Sequence, residues 1–224
     1  MNLTPVVKQS LDACRVKNWD VYRNHYRQGH FSFVELQLFN ELVYSLCKDI
    51  PRFHQTQILE AIGEVLSMSF LEFIELGCGK GVLAQLALER YPLIRSWRGY
   101  DINPLMKQEN LCKHPCYSLN ILDRDFWELE DGFVSPAKQA LVSSHTLEHF
   151  TAQEVEWIFD MGFRAVVVEV PLHNKNYFWK GGGSTHVLDD GWGWFKQMTR
   201  DFGYNMVYQH EAPRNKIGAF VKAE

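Results

Sequence analysis

The sequence predicts an α/β fold, and three stretches carry that expectation. Phe73-Ile74-Glu75-Leu76 is a short apolar run broken by an acid. It leads into Gly77-Cys78-Gly79-Lys80-Gly81 and then into Val82–Arg90, which reads as a helix. Arg164-Ala165-Val166-Val167-Val168-Glu169-Val170 is nearly continuous apolar sequence, as expected of a strand buried on both faces of a parallel sheet. Between and after these, short apolar runs alternate with helical patterns to about residue 222, the signature of βα units.

Taken in order, residues 3–68 read as helical. Val6, Val7, Leu11 and Cys14 recur at helical spacing, as do Leu36, Leu38, Phe39, Leu42, Val43 and Leu46. Pro51 marks a break before a helix over 57–66 that leads into the first strand. Trp97-Arg98-Gly99-Tyr100 is the second strand, ending at Asp101. Cys116–Leu119 is the third, followed by Asn120-Ile121-Leu122-Asp123. Ala140–Ser144 is the fourth, and Thr151-Ala152-Gln153-Glu154 fits a capping box opening a helix. The valine run is the fifth. Residues 204–210 and 217–221 form a closing antiparallel pair around Pro213-Arg214-Asn215, which completes about seven strands. Two domains follow: a helical N-terminal segment over 1–68 and a core over 69–224.

Composition bounds the function. The chain has 224 residues, 46% of them hydrophobic, which suffices for one sizeable core. A formal net charge of −4 lacks the basic footprint of a nucleic-acid binder, so no nucleic-acid partner is expected. No apolar run approaches the ~20 residues of a membrane span, and Met1–Pro5 lacks the regions of a signal peptide. Five cysteines without a disulfide framework suggest reduced thiols and a cytoplasmic protein. Cys112-Lys113-His114-Pro115-Cys116 does not have zinc-knuckle spacing.

The glycine loop is the chemical centre. Its spacing is G-x-G-x-G, unlike the dinucleotide G-x-G-x-x-G, and no P-loop Lys-Ser/Thr follows. An acid, Asp101, lies roughly twenty residues further on, where it can grip a ribose diol. Glu-x-Gly-x-Gly-x-Gly followed by an aspartate at the next strand end resembles the class I S-adenosylmethionine (SAM) dependent methyltransferases. The likeness covers about residues 70–222. It implies a doubly wound, mostly parallel seven-stranded sheet with a helical N-terminal cap, SAM as cofactor and a small-molecule substrate.

The same resemblance assigns roles. Glu75, Gly77, Cys78, Gly79 and Gly81 form the cofactor loop, and Asp101 holds the ribose. Ile102 packs on the adenine face. Asn120, with Asp123 as competitor, reads the adenine amine beside Ile121, and Ser144 faces the methionine end. In the cap, Tyr22, Tyr26 or Arg27 reaches the methionine carboxylate, a task that suits the arginine fork. His145 and His173, after the fourth and fifth strands, are the candidate general bases. The aromatics Tyr177, Phe178, Trp179, Trp192 and Trp194, around Gly181-Gly182-Gly183, suggest a lid.

His145, Glu148 and His149, with His186 downstream, also resemble the Glu-x-x-Glu-His plus histidine pattern of metal-dependent O-methyltransferases of the ubiquinone and small-RNA types. A histidine replaces the first glutamate here, which favours a softer metal, so metal dependence stays open. Two other readings also stay open. One is non-methyl SAM chemistry, either aminocarboxypropyl transfer or cyclisation releasing methylthioadenosine. The other is a non-catalytic SAM-fold binding protein. The sequence names neither the substrate, the accepting atom nor the oligomeric state.

Overall fold

The computed structural model describes residues 3–16, 18–46, 55–126, 129, 138–170, 192–211 and 215–223. The helices are α1 (Pro5–Arg15), α2 (Asp20–Arg27), α3 (Phe33–Leu46), α4 (Gln55–Ser67), α5 (Val82–Arg90), α6 (Met106–Glu109), α7 (Ala152–Asp160) and α8 (Trp192–Asp201). The strands are β1 (Glu72–Leu76), β2 (Ser96–Asp101), β3 (Tyr117–Ile121), β4 (Ala140–Ser144), β5 (Ala165–Val170), β6 (Tyr204–Glu211) and β7 (Lys216–Lys222).

They form one seven-stranded sheet in the order β3-β2-β1-β4-β5-β7-β6. Strands β1 to β5 run parallel, and β7 is antiparallel to both neighbours. The order reverses between β1 and β4, so the tips of β1, β2 and β4 open onto the switch point where ligands bind in such sheets. The α/β, doubly wound, mostly parallel expectation holds. β3 runs to Ile121, two residues beyond the expected end, because Asn120 and Ile121 still pair with Tyr100 and Asp101.

Each sheet face is covered. Phe73, Trp97, Val142 and Val167 pack under α4 and α5, while Ile74, Leu141, Val166 and Phe220 pack under α7 and α8. Helix α4 belongs to this core through Ile58, Ile62 and Val65. The cap proper is α1 to α3, whose buried residues Val7, Leu11, Cys14, Tyr22 and Phe39 form a separate cluster. Capping residues set two helix starts. Ser32 and Glu35 bond reciprocally at α3, and Thr151 with Glu154 makes the expected capping box of α7.

Of the expected lid aromatics, Trp192 is a core residue instead and Trp194 packs half-buried against that core. Trp192 is 5% exposed and stacks on Phe195 with ring centroids 5.4 Å apart, and Trp194 meets the same ring edge-on. Burying these flat apolar rings against β7 outweighs leaving them in a loop. Tyr177, Phe178, Trp179 and the three glycines lie outside the described residues. Among those described, no helix is long and apolar enough to cross a membrane, and Cys14, Cys78, Cys112 and Cys116 carry free thiols.

Candidate functional site

The glycine loop lies where β1 ends. Gly77, Gly79 and Gly81 all take positive φ, at 71°, 52° and 72°. The amides of Gly77 and Cys78 donate to the Tyr100 carbonyl at 2.8 and 3.1 Å, tying the loop to the end of β2. At Gly77 the requirement is steric as well, because a Cβ there would lie 1.9 Å from the Thr146 Oγ1. The loop after β4 therefore rests directly on the glycine loop. At Gly79 the reverse holds: a Cβ would meet nothing within 4 Å. That face of the loop is open.

Asp101 ends β2 beside this opening. Its Oδ2 accepts from the Gly79 amide at 2.8 Å and its Oδ1 from the Asn103 amide at 2.8 Å. Burial raises its pKa, and the two amide bonds oppose that rise. The carboxylate is thus fixed at the crevice rather than swung into bulk water. Ile121 is its register partner on β3, and Ile102 follows it, half-buried. Asn120 lies within β3, its Nδ2 3.4 Å from the Gly99 carbonyl. Its rival Asp123 is exposed and paired with Arg124.

Glu75 and Cys78 lie beneath the loop. Glu75 is 3% exposed and accepts from the Trp97 indole at 2.8 Å. Burial pushes its carboxyl up to about 8, with Trp97 opposing and Asp101 adding to the rise. It supports the loop from below as a neutral acid. The buried Cys78 thiol is pushed up as well, chiefly by burial, so it behaves as an inert packing group.

A polar cluster sits at the tips of β4, β5 and β7. Glu169, on β5, is 2% exposed. Its Oε2 accepts from Ser144 Oγ at 2.8 Å and its Oε1 from Asn215 Nδ2 at 3.1 Å. His145 has a left-handed backbone, φ 55°, and its amide donates to the Glu169 carbonyl at 2.9 Å. The ring nitrogens face two buried carboxylates: Nδ1 lies 3.6 Å from Glu148 and Nε2 3.4 Å from Glu169. Asn215 Nδ2 lies 3.4 Å from the same Nε2.

This arrangement changes the chemistry expected of His145. Burial lowers its pKa, but the bonds and charges of Glu148 and Glu169 outweigh that and raise it to about 10. The ring is 42% exposed, so water screens part of the attraction. The two carboxylates favour the imidazolium, whereas a general base acts as the neutral ring. Histidine-ring NMR should show His145 protonated through neutral pH. Glu169→Gln should lower its midpoint by about one unit or more, given one carboxylate of two removed. A wild-type midpoint near 6.5 would contradict the assignment.

The three cap candidates lie in different surroundings. Tyr22 is 2% exposed and stacks on Phe39 at 4.4 Å, inside the cap's own core. Tyr26 donates to Glu154 Oε1 at 3.3 Å, at the start of α7. Arg27 is exposed on the last turn of α2. His173 and His186 lie outside the described residues. Among the described residues no group of three or more His, Cys, Asp and Glu is arranged to hold a metal ion, and His186 of the expected set lies outside them.

Glu169 and Asn215 were not singled out by sequence. An acid inside a valine run was the available signal for Glu169. Asn215, in a turn next to an expected strand, gave none.

No family model and no curated protein matches the chain. Solved structures do. The methyltransferase domain of bacterial CtHen1 aligns at a TM-score of 0.55 and 17% identity, over 75% of this chain and 98% of that one. Magnesium protoporphyrin IX methyltransferase from Synechocystis PCC 6803, with bound SAH, aligns at 0.55 and 14%, over 95% and 97%. Human N-acetylserotonin methyltransferase, in complex with SAM, aligns at 0.55 and 14%, over 91% and 59%. The chain therefore has the fold of the SAM-dependent methyltransferases.

Proposed function

We propose that the chain is a SAM-dependent methyltransferase that alkylates an oxygen or nitrogen of a small-molecule metabolite in the cytoplasm. One observation carries the cofactor half of this reading: Asp101 and the Gly79 amide, 2.8 Å apart, sit at a loop face left open above Gly79. A ribose diol suits that carboxylate, and the adenine fits between Ile102 and the Asn120-Ile121 end of β3. Gly77, Cys78 and Gly81 shape the loop, Glu75 supports it, and Ser144 lies toward the methionine end. Among the cap candidates Arg27 suits the methionine carboxylate by its planar fork of donors, and Tyr26 donates to Glu154.

SAM, when bound, supplies a methyl group made electrophilic by its sulfonium. The chain's own task is orientation, which lowers such barriers greatly. His145 is held at the tip of β4 by Glu148 and Glu169, which face its two ring nitrogens and fix its orientation at the acceptor end. The net charge of −4 and the likeness to the magnesium protoporphyrin IX and N-acetylserotonin methyltransferases support a small-molecule substrate. His173, a candidate base after β5, is the alternative for removing an acceptor proton.

Calorimetry with SAM and SAH tests the cofactor assignment. Wild-type protein should bind both, and Asp101→Ala should weaken both by at least about a hundredfold, from two charge-assisted bonds at about 1.5–3 kcal/mol each. No binding by folded wild type would end the reading. Product analysis then separates methyl transfer, which leaves SAH, from the aminocarboxypropyl or cyclisation routes, which leave methylthioadenosine.

A further inference from the structure

We infer that Gln37 of α3 is a positioning residue for the adenosyl end of the crevice, acting by holding the tips of β2 and β3 together. The inference rests on the SAM reading above. Gln37 Nε2 donates to the Ile102 carbonyl at 3.1 Å and to the Leu122 carbonyl at 3.4 Å. A side-chain amide has two N–H donors, so both bonds form at once.

The two carbonyls occupy equivalent places. β2 and β3 pair as far as Asp101 and Ile121, and the Leu122 amide adds one more bond to the Asp101 carbonyl at 2.9 Å. Ile102 and Leu122 are the next residues on each chain. Past this point the ladder no longer fixes the separation of the strands, and Gln37 spans the gap. The residues just behind the clasp are the ones assigned to adenosine: Asp101 and Ile102 on one side, Asn120 and Ile121 on the other.

The helix carrying Gln37 is itself held. Phe33, four residues earlier and hence on the same helical face, packs against the sheet core. Phe39 is 0% exposed in the cap core. Tyr26 fastens the cap a second time, to Glu154 at α7. Gln37 therefore reaches the strand tips from a fixed base, and its loss lets them move without dismantling either core.

Calorimetry with SAM, SAH and 5′-methylthioadenosine tests this, alongside the melting temperature of each unliganded variant. Gln37→Met keeps the length and removes the donors. Gln37→Lys keeps a donor on a long stem. With one to two hydrogen bonds lost, Gln37→Met should weaken all three ligands by a similar factor of about five to ten, and Gln37→Lys should recover most of it. Both variants should melt within a few degrees of wild type. Gln37→Met binding all three as tightly as wild type overturns the inference. So does a loss that Gln37→Lys fails to rescue, or one that merely follows a fall in melting temperature. Folded wild-type protein that binds none of the three overturns the SAM reading itself and this inference with it, so the two failures are distinguishable.

Discussion

Gly77→Ala is expected to cost about 3–5 kcal/mol of folding free energy and to abolish SAM and SAH binding. Two effects add. A non-glycine residue at φ 71° costs about 1–2 kcal/mol. The new methyl would also sit 1.9, 2.6 and 2.7 Å from Oγ1, Cγ2 and Cβ of Thr146, none of them the far end of a flexible chain. Something must move, and both sides are tied. The Gly77 amide is bonded to the Tyr100 carbonyl, and Thr146 Oγ1 bonds the Ser144 carbonyl at 3.2 Å. Removing the obstacle separates the two effects. In the Gly77→Ala background, Thr146→Gly should restore roughly half the lost stability, leaving the backbone strain. Gly79→Ala is the complementary control. Its Cβ meets no protein atom within 4 Å, so stability should fall by only about 1–2 kcal/mol. Affinity should fall further, because that methyl occupies the space offered to the cofactor. Urea denaturation and calorimetry on the three variants read both quantities. A Gly77→Ala variant with wild-type stability would show that the β4 loop does not rest on the glycine loop.

What could be read from the sequence was local. The unit β1–loop–α5 is legible because three glycines in alternation have few uses besides a positive-φ turn, and all three adopt it. The valine run of β5 and the Thr151 capping box are legible for similar reasons, since each is decided by a few adjacent residues. What was missed depends on residues far apart. The Tyr26 hydroxyl finds its partner, Glu154, far along the chain on α7. Trp192 looks like a lid aromatic until β7 offers Phe220 and Gly218 beneath it. Nothing local to His145 announces Glu169, which β5 brings beside it. Glu169 hid in plain view: a single acid among valines was absorbed into the apolar pattern, although an acid in a strand buried on both faces demands partners. Asn120 ended the expected third strand because asparagine favours turns, yet pairing with Tyr100 carries the strand on. The positive-φ loop and the place of Asp101 at the end of β2 could be read ahead of the structure, whereas the electrostatics around His145 could not, because they are built from β4, β5 and β7 together.

Glu75→Gln is expected to remove a large pH dependence from the stability of the fold. The folded chain holds Glu75 at about 8, whereas an unstructured carboxyl titrates near 4.5. The native state therefore keeps this proton over a range in which the unfolded chain has released it. Wherever the native state binds more protons, stability falls as pH rises. The fall should begin near pH 4.5, continue to about pH 8 and level off above it. The full span is on the order of 3–5 kcal/mol at 1.36 kcal/mol per unit. Glutamine keeps an oxygen for the Trp97 indole and carries no proton to lose. Denaturation at pH 5 and pH 8.5 should show the gap between variant and wild type shift by that amount in favour of the variant. Asp101 contributes in the same direction, which is why the difference between the two proteins is the informative quantity. The result also bears on the site. An acid kept neutral beneath the loop leaves Asp101 as the charged group at the opening, and ionising Glu75 would set a second negative charge behind it. A wild-type stability that follows the variant's from pH 5 to pH 8.5 would mean that Glu75 is ionised in the folded chain, and the loop's support would then be a carboxylate rather than a neutral buried acid.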